Sequence, residues 1–304
     1  MASSPAAPLP TVAINPNAIP KRDNLLLQFV KAQPLGFVGF LIILMYFVFA
    51  IFAPWISPYD PEAVDFGAML TGPGREHLFG TDQYGRDVFS RLVYGSRTAL
   101  GVGIISSLFG CTLGAFVGAA SGYFGGRIDT CIQAIVDIML SFPLIVLAMV
   151  IVAVLGKNQF LGVDMNLVMA IAIPMIPRMA RIARSSTLSI AQMPYIDAAR
   201  AAGYSHSRIV IRHILPNIIA PYLIMTTAFI AQAILLEASL SFLGLGVTEP
   251  TPAWGLMLSG TSADFYKAAP WMIMFPGLAI TLAVFAFNLL GDSLRDWLDP
   301  KIKI

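Results

Sequence analysis

Six long apolar runs constrain this chain more than any other feature. They cover residues 35–56, 98–124, 128–155, 165–184, 218–243 and 270–290. Each holds about 20 residues or more, which at 1.5 Å rise per residue crosses the hydrocarbon core of a bilayer. Strands of a membrane β-barrel are about ten residues long and alternate in polarity, so a barrel is excluded. The expectation is an all-α integral membrane protein with six transmembrane helices. Of the 304 residues, 57% are hydrophobic and only 12% are charged, against about 25% charged in a soluble domain. A net charge of +2 is too small to argue for nucleic acid as a partner.

Lys and Arg set the orientation. With the N-terminus inside, the inner segments hold Lys21, Arg22, Lys31, Arg127, Arg178, Arg181, Arg184, Arg200, Arg208, Arg212, Arg295, Lys301 and Lys303. The outer segments hold only Arg75, Arg86, Arg91, Arg97, Lys157 and Lys267. Both termini are therefore expected in the cytoplasm. Residues 1–33, with five prolines in the first twenty, read as a disordered cytoplasmic tail and not as a cleaved signal peptide. Residues 34–57 form the first span, 58–97 an extracytoplasmic loop, 98–292 the membrane core, and 293–304 a cytoplasmic tail.

Within the loop, "GTDQYGRDVFSRLVYGSRTAL" predicts an amphipathic helix starting near Asp82, with Asp87 and Arg91 placed to pair at i, i+4. The second run repeats a small residue every four positions: Ser106, Gly110, Gly114, Gly118 and Gly122. Such a stripe admits a neighbouring helix closely. It serves either packing within the chain or a seam with another subunit.

No stretch fits a P-loop, a nucleophile elbow or metal-ligand spacing among His77, His206 and His213, so the sequence proposes no enzyme, no metal and no cofactor of its own. Cys111 and Cys131 lie in or beside apolar runs and read as packed thiols. Two acids lie inside apolar runs. Glu237 should face protein or water, where it either lines or gates a pathway or makes an interhelical hydrogen bond. Asp137 offers the same choice, with Arg127 or a helix terminus as its partner.

One polar island remains: "YIDAARAAGYSHSRIVIRHILPN", residues 195–217, within the cytoplasmic loop 185–217. Asp197 is placed to cap a short helix over residues 198–202, and Gly203 suits the left-handed position that ends it. Ser205 is placed to cap a second helix over residues 207–215. Arg208 and Arg212 share one face of it, and Pro216 marks the exit into the next span. The small side chains of Ala198, Ala199, Ala201 and Ala202 allow close approach to a partner. The result is a helix–elbow–helix suited to a partner's groove.

The island resembles the cytoplasmic loop motif of ABC importer permeases, E-A-A-x-x-x-G followed by I-x-L-P. Here it reads Asp197-Ala198-Ala199, Gly203, then His213-Ile214-Leu215-Pro216, with Asp for Glu and His for Ile. "HLFGTDQYGRDVFSRLVYGSR", "GYFGGRID", "LEASLSFLGLG", "PAWGLML" and "PGLAITLAVFAFNLLGDSLRDWLDP" extend the likeness over most of residues 35–300. They look like the dipeptide/oligopeptide/nickel permease subfamily, and within it the shorter, C-type partner of a permease pair. The resemblance implies a type I ABC importer transmembrane domain. It implies a second homologous permease, two cytoplasmic ATPases carrying ATP and Mg, and an extracytoplasmic substrate-binding protein. The cargo would be di- or oligopeptides, or alternatively nickel, glutathione or another small solute. An ion-coupled secondary transporter is disfavoured, because the membrane acids are unpaired and no internal repeat is evident.

Overall fold

A computed structural model describes residues 33–156, 159–160, 163–260, 265 and 267–298. Of the tails expected at 1–33 and 293–304, residues 1–32 and 299–304 lie outside them. The fold is helical: α1 (Pro34–Ile56), α2 (Val88–Phe124), α3 (Gly126–Leu140), α4 (Leu144–Leu155), α5 (Met165–Ala191), α6 (Pro194–Ala201), α7 (His206–Phe242), α8 (Trp254–Met257) and α9 (Trp271–Leu298). A two-residue antiparallel pair, Gln159–Phe160 with Val163–Asp164, bridges the α4–α5 connection.

α1, α2, α5, α7 and α9 are each long and apolar enough to cross a membrane. In place of the single helix expected over 128–155 stand two shorter ones, α3 and α4, bent by 93° into a broken or re-entrant pair. Pro143 lacks an N–H, disfavours the helical region for the residue before it and is itself non-helical (ψ 133°), so the chain leaves one helix and starts another at Leu144.

Prolines shape the other spans too. Pro54 lies inside α1, beside a kink at Phe52 (φ −94°, ψ 16°). It cannot donate to the Ala50 carbonyl. Arg97 of α2 takes that role, its Nε donating to the Ala50 carbonyl at 2.5 Å and an Nη to Ile51 at 3.3 Å. In α5, Pro174 lies within a 3-10 turn, Ile173–Met175, and Pro177 follows.

The small-residue stripe of α2 packs within the chain, against α5. A Cβ on Gly110 would lie 2.8 Å from the Ala172 carbonyl oxygen. On Gly114 it would lie 2.6 Å from that of Ile176, on Gly118 2.2 Å from that of Ala180, and on Gly122 2.9 Å from that of Arg184. Two helix backbones approach this closely only where side chains are absent. Around the seam, Met175, Met179, Ala183, Ile190 and Cys111 are buried together. A second cluster joins α1, α2, α7 and α9 around Trp254. The Trp254 Nε1 donates to the Leu92 carbonyl at 2.9 Å, and Tyr46 donates to the Ala279 carbonyl at 3.0 Å, so both buried polar tips are satisfied. Cys131 is exposed and, like Cys111, a free thiol.

The expected start of an amphipathic helix near Asp82 moves to Val88. Gly85, at φ +72°, and the Asp82 carboxylate, accepting from the N–H groups of Tyr84 and Arg86, hold a turn there. Asp87 is the N-cap, accepting from the Ser90 N–H at 2.7 Å. From Val88 the helix runs unbroken into the second span, so no separate surface helix exists at 82–97. The last span likewise continues past residue 293 to Leu298.

Candidate functional site

Between α5 and α7 the chain turns through the polar island. α6 starts at Pro194, whose fixed φ suits a first helical position. It thus begins earlier than expected, and Asp197 lies in its first turn instead of at the cap. The Asp197 carboxylate is exposed and pairs with Arg200 at 3.2 Å. Gly203 has φ +77°, the left-handed turn expected of it. The Tyr204 N–H donates to the Ala199 carbonyl and the Gly203 N–H to that of Arg200, a Schellman closure. Ser205 then caps the start of α7, its Oγ accepting from the Arg208 N–H at 3.4 Å.

The second arm is not the plain helix expected over 207–215. After one α-turn it widens into a π turn, Val210–Ile214, tightens into a 3-10 turn, Leu215–Ile218, and continues without exit into the span. Pro216 cannot donate to the Arg212 carbonyl, and its ring would collide with it; the wider turn relieves the clash.

The elbow has a buried base and an exposed crest. Ile196, Ala199, Ile209, Ile214 and Ile218 are buried in the cluster that holds Met179 and Ile190. Asp197, Ala198, Arg200, Gly203, Arg208, Arg212 and Pro216 are exposed, while His213 and Leu215 are half-buried. Aromatic rings brace the crest. Tyr204 stacks on His213 at 6.0 Å and carries Arg208 on its face at 5.1 Å; Tyr123 meets His206 Nδ1 at 2.9 Å. Sequence reasoning missed these tyrosines, although each histidine has one within reach. The crest presents small residues and cations on a buried base, a shape that a partner's groove can receive.

Asp137 pairs with Arg181 of α5, and Arg127 takes no part. One pair that the sequence reading overlooked lies beside it: Asp129 holds Arg184 through two hydrogen bonds of 2.6 Å and also accepts from Ser121. Glu237 is buried in α7. Its Oε1 accepts from Ser241 Oγ at 2.8 Å, and Ser241 in turn accepts from the Val247 N–H at 3.2 Å. This chain orients the loop after α7.

That loop delivers Glu249 to a cluster at the bundle end opposite the elbow. Arg86 donates to Asp82 at 2.6 Å and to Glu249 at 2.5 Å. Arg91, fully buried, reaches Glu249 at 3.4 Å and the Pro61 and Pro250 carbonyls at 2.9 and 3.2 Å. Burial pulls the Arg86 guanidinium down, but the Glu249 hydrogen bond and the Asp82 charge outweigh it and leave its pKa raised. Asp87, expected to pair with Arg91, instead holds His77 at 2.9 Å. A cavity of about 270 Å³ opens beside Asp82, Arg86, Arg91 and Glu249. Glu249 lies some 160 residues from its partners in sequence, and no local pattern joins them.

Residues 110–304 match the family of binding-protein-dependent transport system inner membrane components. Residues 27–73 match the N-terminal TM domain of oligopeptide transport permease C. The chain is 44% identical over 274 residues to the dipeptide transport system permease protein of Alkalihalophilus pseudofirmus, covering 90% of this chain and 88% of that one. It is 43% identical, with the same coverage, to the glutathione transport system permease protein of Escherichia coli O6:H1. It is 41% identical to a putative peptide transport system permease protein of Brucella suis biovar 1, over 88% of each chain. Among solved structures, the inward-facing MetNI methionine ABC transporter matches with a TM-score of 0.54 at 18% identity, covering 69% of this chain and 97% of that one. That likeness is one of fold.

Proposed function

Because the chain belongs to the family of binding-protein-dependent transport system inner membrane components, we propose that it forms half of the translocation pathway of an ATP-driven importer of di- or oligopeptides. It is a multi-pass permease of the bacterial inner membrane. The named relatives move dipeptides, peptides and glutathione, and their identity over most of the chain supports a peptide cargo. A second, homologous permease completes the pathway, and an extracytoplasmic binding protein delivers the cargo. Two cytoplasmic ATPases supply ATP and Mg chemistry. Both termini and the segment 185–217 lie on the cytoplasmic side.

The observation that carries this reading is the elbow. Its base is buried in the α5–α7 core, and its crest is exposed, small and cationic. A partner that grips the crest bears on two spans at once, because only Gln192 and Met193 separate α5 from α6 and the second arm continues directly into the span of α7. Asp197, Ala198, Ala199 and Gly203 shape the contact; Arg208, Arg212, His213, Leu215 and Pro216 set the second arm. ATP-driven closure of the ATPases would then switch the permease as a rigid body.

The test is affinity capture of the tagged chain from its native membrane, with peptide uptake measured in parallel. Wild type should bring down a P-loop ATPase. Asp197→Arg, which sets a third cation beside Arg200 and Arg208, should weaken that capture and lower uptake about tenfold while the chain still reaches the membrane. Capture without any ATPase, or full uptake by the variant, would overturn the coupling role.

A further inference from the structure

An open groove of about 550 Å³ runs between α5, α7 and α9. Its walls are mainly apolar, with Met225, Phe229 and Val284, but three polar side chains share it: Arg178, Gln232 and Asn288, one from each helix. Arg178 lies midway along α5. Its Nη1 donates to Gln232 Oε1 at 3.0 Å, which uses one of the five guanidinium N–H donors.

Arg178 is the first of three arginines spaced three apart on α5. Each three-residue step turns the face by about 60°. Arg181 and Arg184 thereby reach α3, where Asp137 and Asp129 neutralise them. Arg178 instead faces α7, and no described acid pairs with it. An unneutralised guanidinium inside a span is too costly to face acyl chains and must face protein or water. By contrast, the outward face of α1 carries only apolar side chains such as Leu41, Leu44, Val48 and Ile51, suited to lipid.

We infer that this groove is the chain's share of the aqueous pathway and that Arg178 holds the carboxylate of a passing solute. The inference rests on the transport reading above and deepens it by naming the surface and the chemistry. Gln232 is a positioning residue that fixes the guanidinium plane, and Asn288 offers both a donor and an acceptor beside it. A single, water-accessible cation suits a transit site, which must bind strongly enough to admit a solute and weakly enough to release it.

Two measurements on the complete transporter in membrane vesicles test this. The first introduces Asn288→Cys in a Cys131→Ser background, since Cys111 is buried, and labels it with a membrane-impermeant sulfonated maleimide. Labelling is expected; labelling only by an apolar maleimide, or none, means that lipid or a partner helix fills the groove and overturns the assignment. The second compares Arg178→Gln and Arg178→Lys for uptake of a dipeptide with a free carboxylate. Arg178→Gln should lose about tenfold, the worth of one charge-assisted hydrogen bond. Arg178→Lys should keep most uptake, and both should retain ATP hydrolysis stimulated by the binding protein. Equal behaviour of the two variants, or joint loss of uptake and stimulated hydrolysis, makes Arg178 structural. Wild-type vesicles that move no peptide while Asn288→Cys is labelled would sink the peptide reading and leave the groove assignment standing.

Discussion

Gly203 carries a backbone demand without a packing demand. Its φ is +77°, yet nothing lies within 4 Å of where a Cβ would be. A side chain there costs only the left-handed conformation, about 1–2 kcal/mol for a bulky residue. Gly203→Val should therefore uncouple transport from ATP hydrolysis, whereas Gly203→Asn, which tolerates that conformation, should keep most coupling; equal rates in both would show that the turn is dispensable. Glu237 is the opposite case, a packed group with no open side. Glu237→Gln keeps an oxygen for Ser241 and should transport within about twofold of wild type. Glu237→Ala leaves a void and a hydroxyl without its acceptor, a loss of about 2–3 kcal/mol. It should lower the melting temperature in detergent and reduce transport more than the Gln variant does.

At the scale of elements, the α2–α5 seam is a backbone-to-backbone contact. Its tightest point is Gly118, where a Cβ would meet the Ala180 carbonyl oxygen at 2.2 Å and the Ala183 Cβ at 2.8 Å. Neither neighbour is a flexible side-chain tip, so the helices must part. Overpacking of this kind costs about 1–3 kcal/mol. Gly118→Val should lower the yield and melting temperature of the folded chain, read by size exclusion after heating in detergent. Gly277 in α9, with nothing near its Cβ, serves as control: Gly277→Ala should have little effect. The same helix, α5, carries Arg181 and Arg184 to their acids on α3, so parting the seam also disturbs two ion pairs.

Across the whole molecule, the elbow occupies one end and the Asp82–Arg86–Arg91–Glu249 cluster the other. The cluster ties the segment before α2 to the segment after α7, and with Trp254 and Trp271 it closes that end. The Trp271 Nε1 donates to the Thr81 carbonyl at 3.0 Å. Arg91 is the hub, and its removal leaves Asp82 buried with one cation fewer and the Pro61 carbonyl without its donor; breaking a buried ionic cluster in this way costs about 3–5 kcal/mol. Arg91→Ala should sharply reduce assembled protein in the membrane. Glu249→Gln, at an exposed position that keeps its hydrogen-bonding shape, should be far milder in the same assay. Comparable losses from the two would assign the cluster's strength to Glu249 instead of Arg91.

The sequence by itself determined whatever depends on local chemistry or on the thickness of a bilayer. Spans are legible because hydrocarbon demands about 20 apolar residues of helix. The turn at Gly203 and the cap at Ser205 are legible because both are satisfied within five residues. α6 starts three residues before the Asp197 expected to cap it, because Pro194 initiates a helix as readily as Asp197 caps one. Only the tertiary structure decided that the glycine stripe faces α5, that Asp137 meets Arg181, that Glu249 meets Arg86, and that Arg178 shares a groove with Gln232 and Asn288. Those partners lie on different helices, and which helices become neighbours is set by how all the spans pack together, a choice that no single segment encodes.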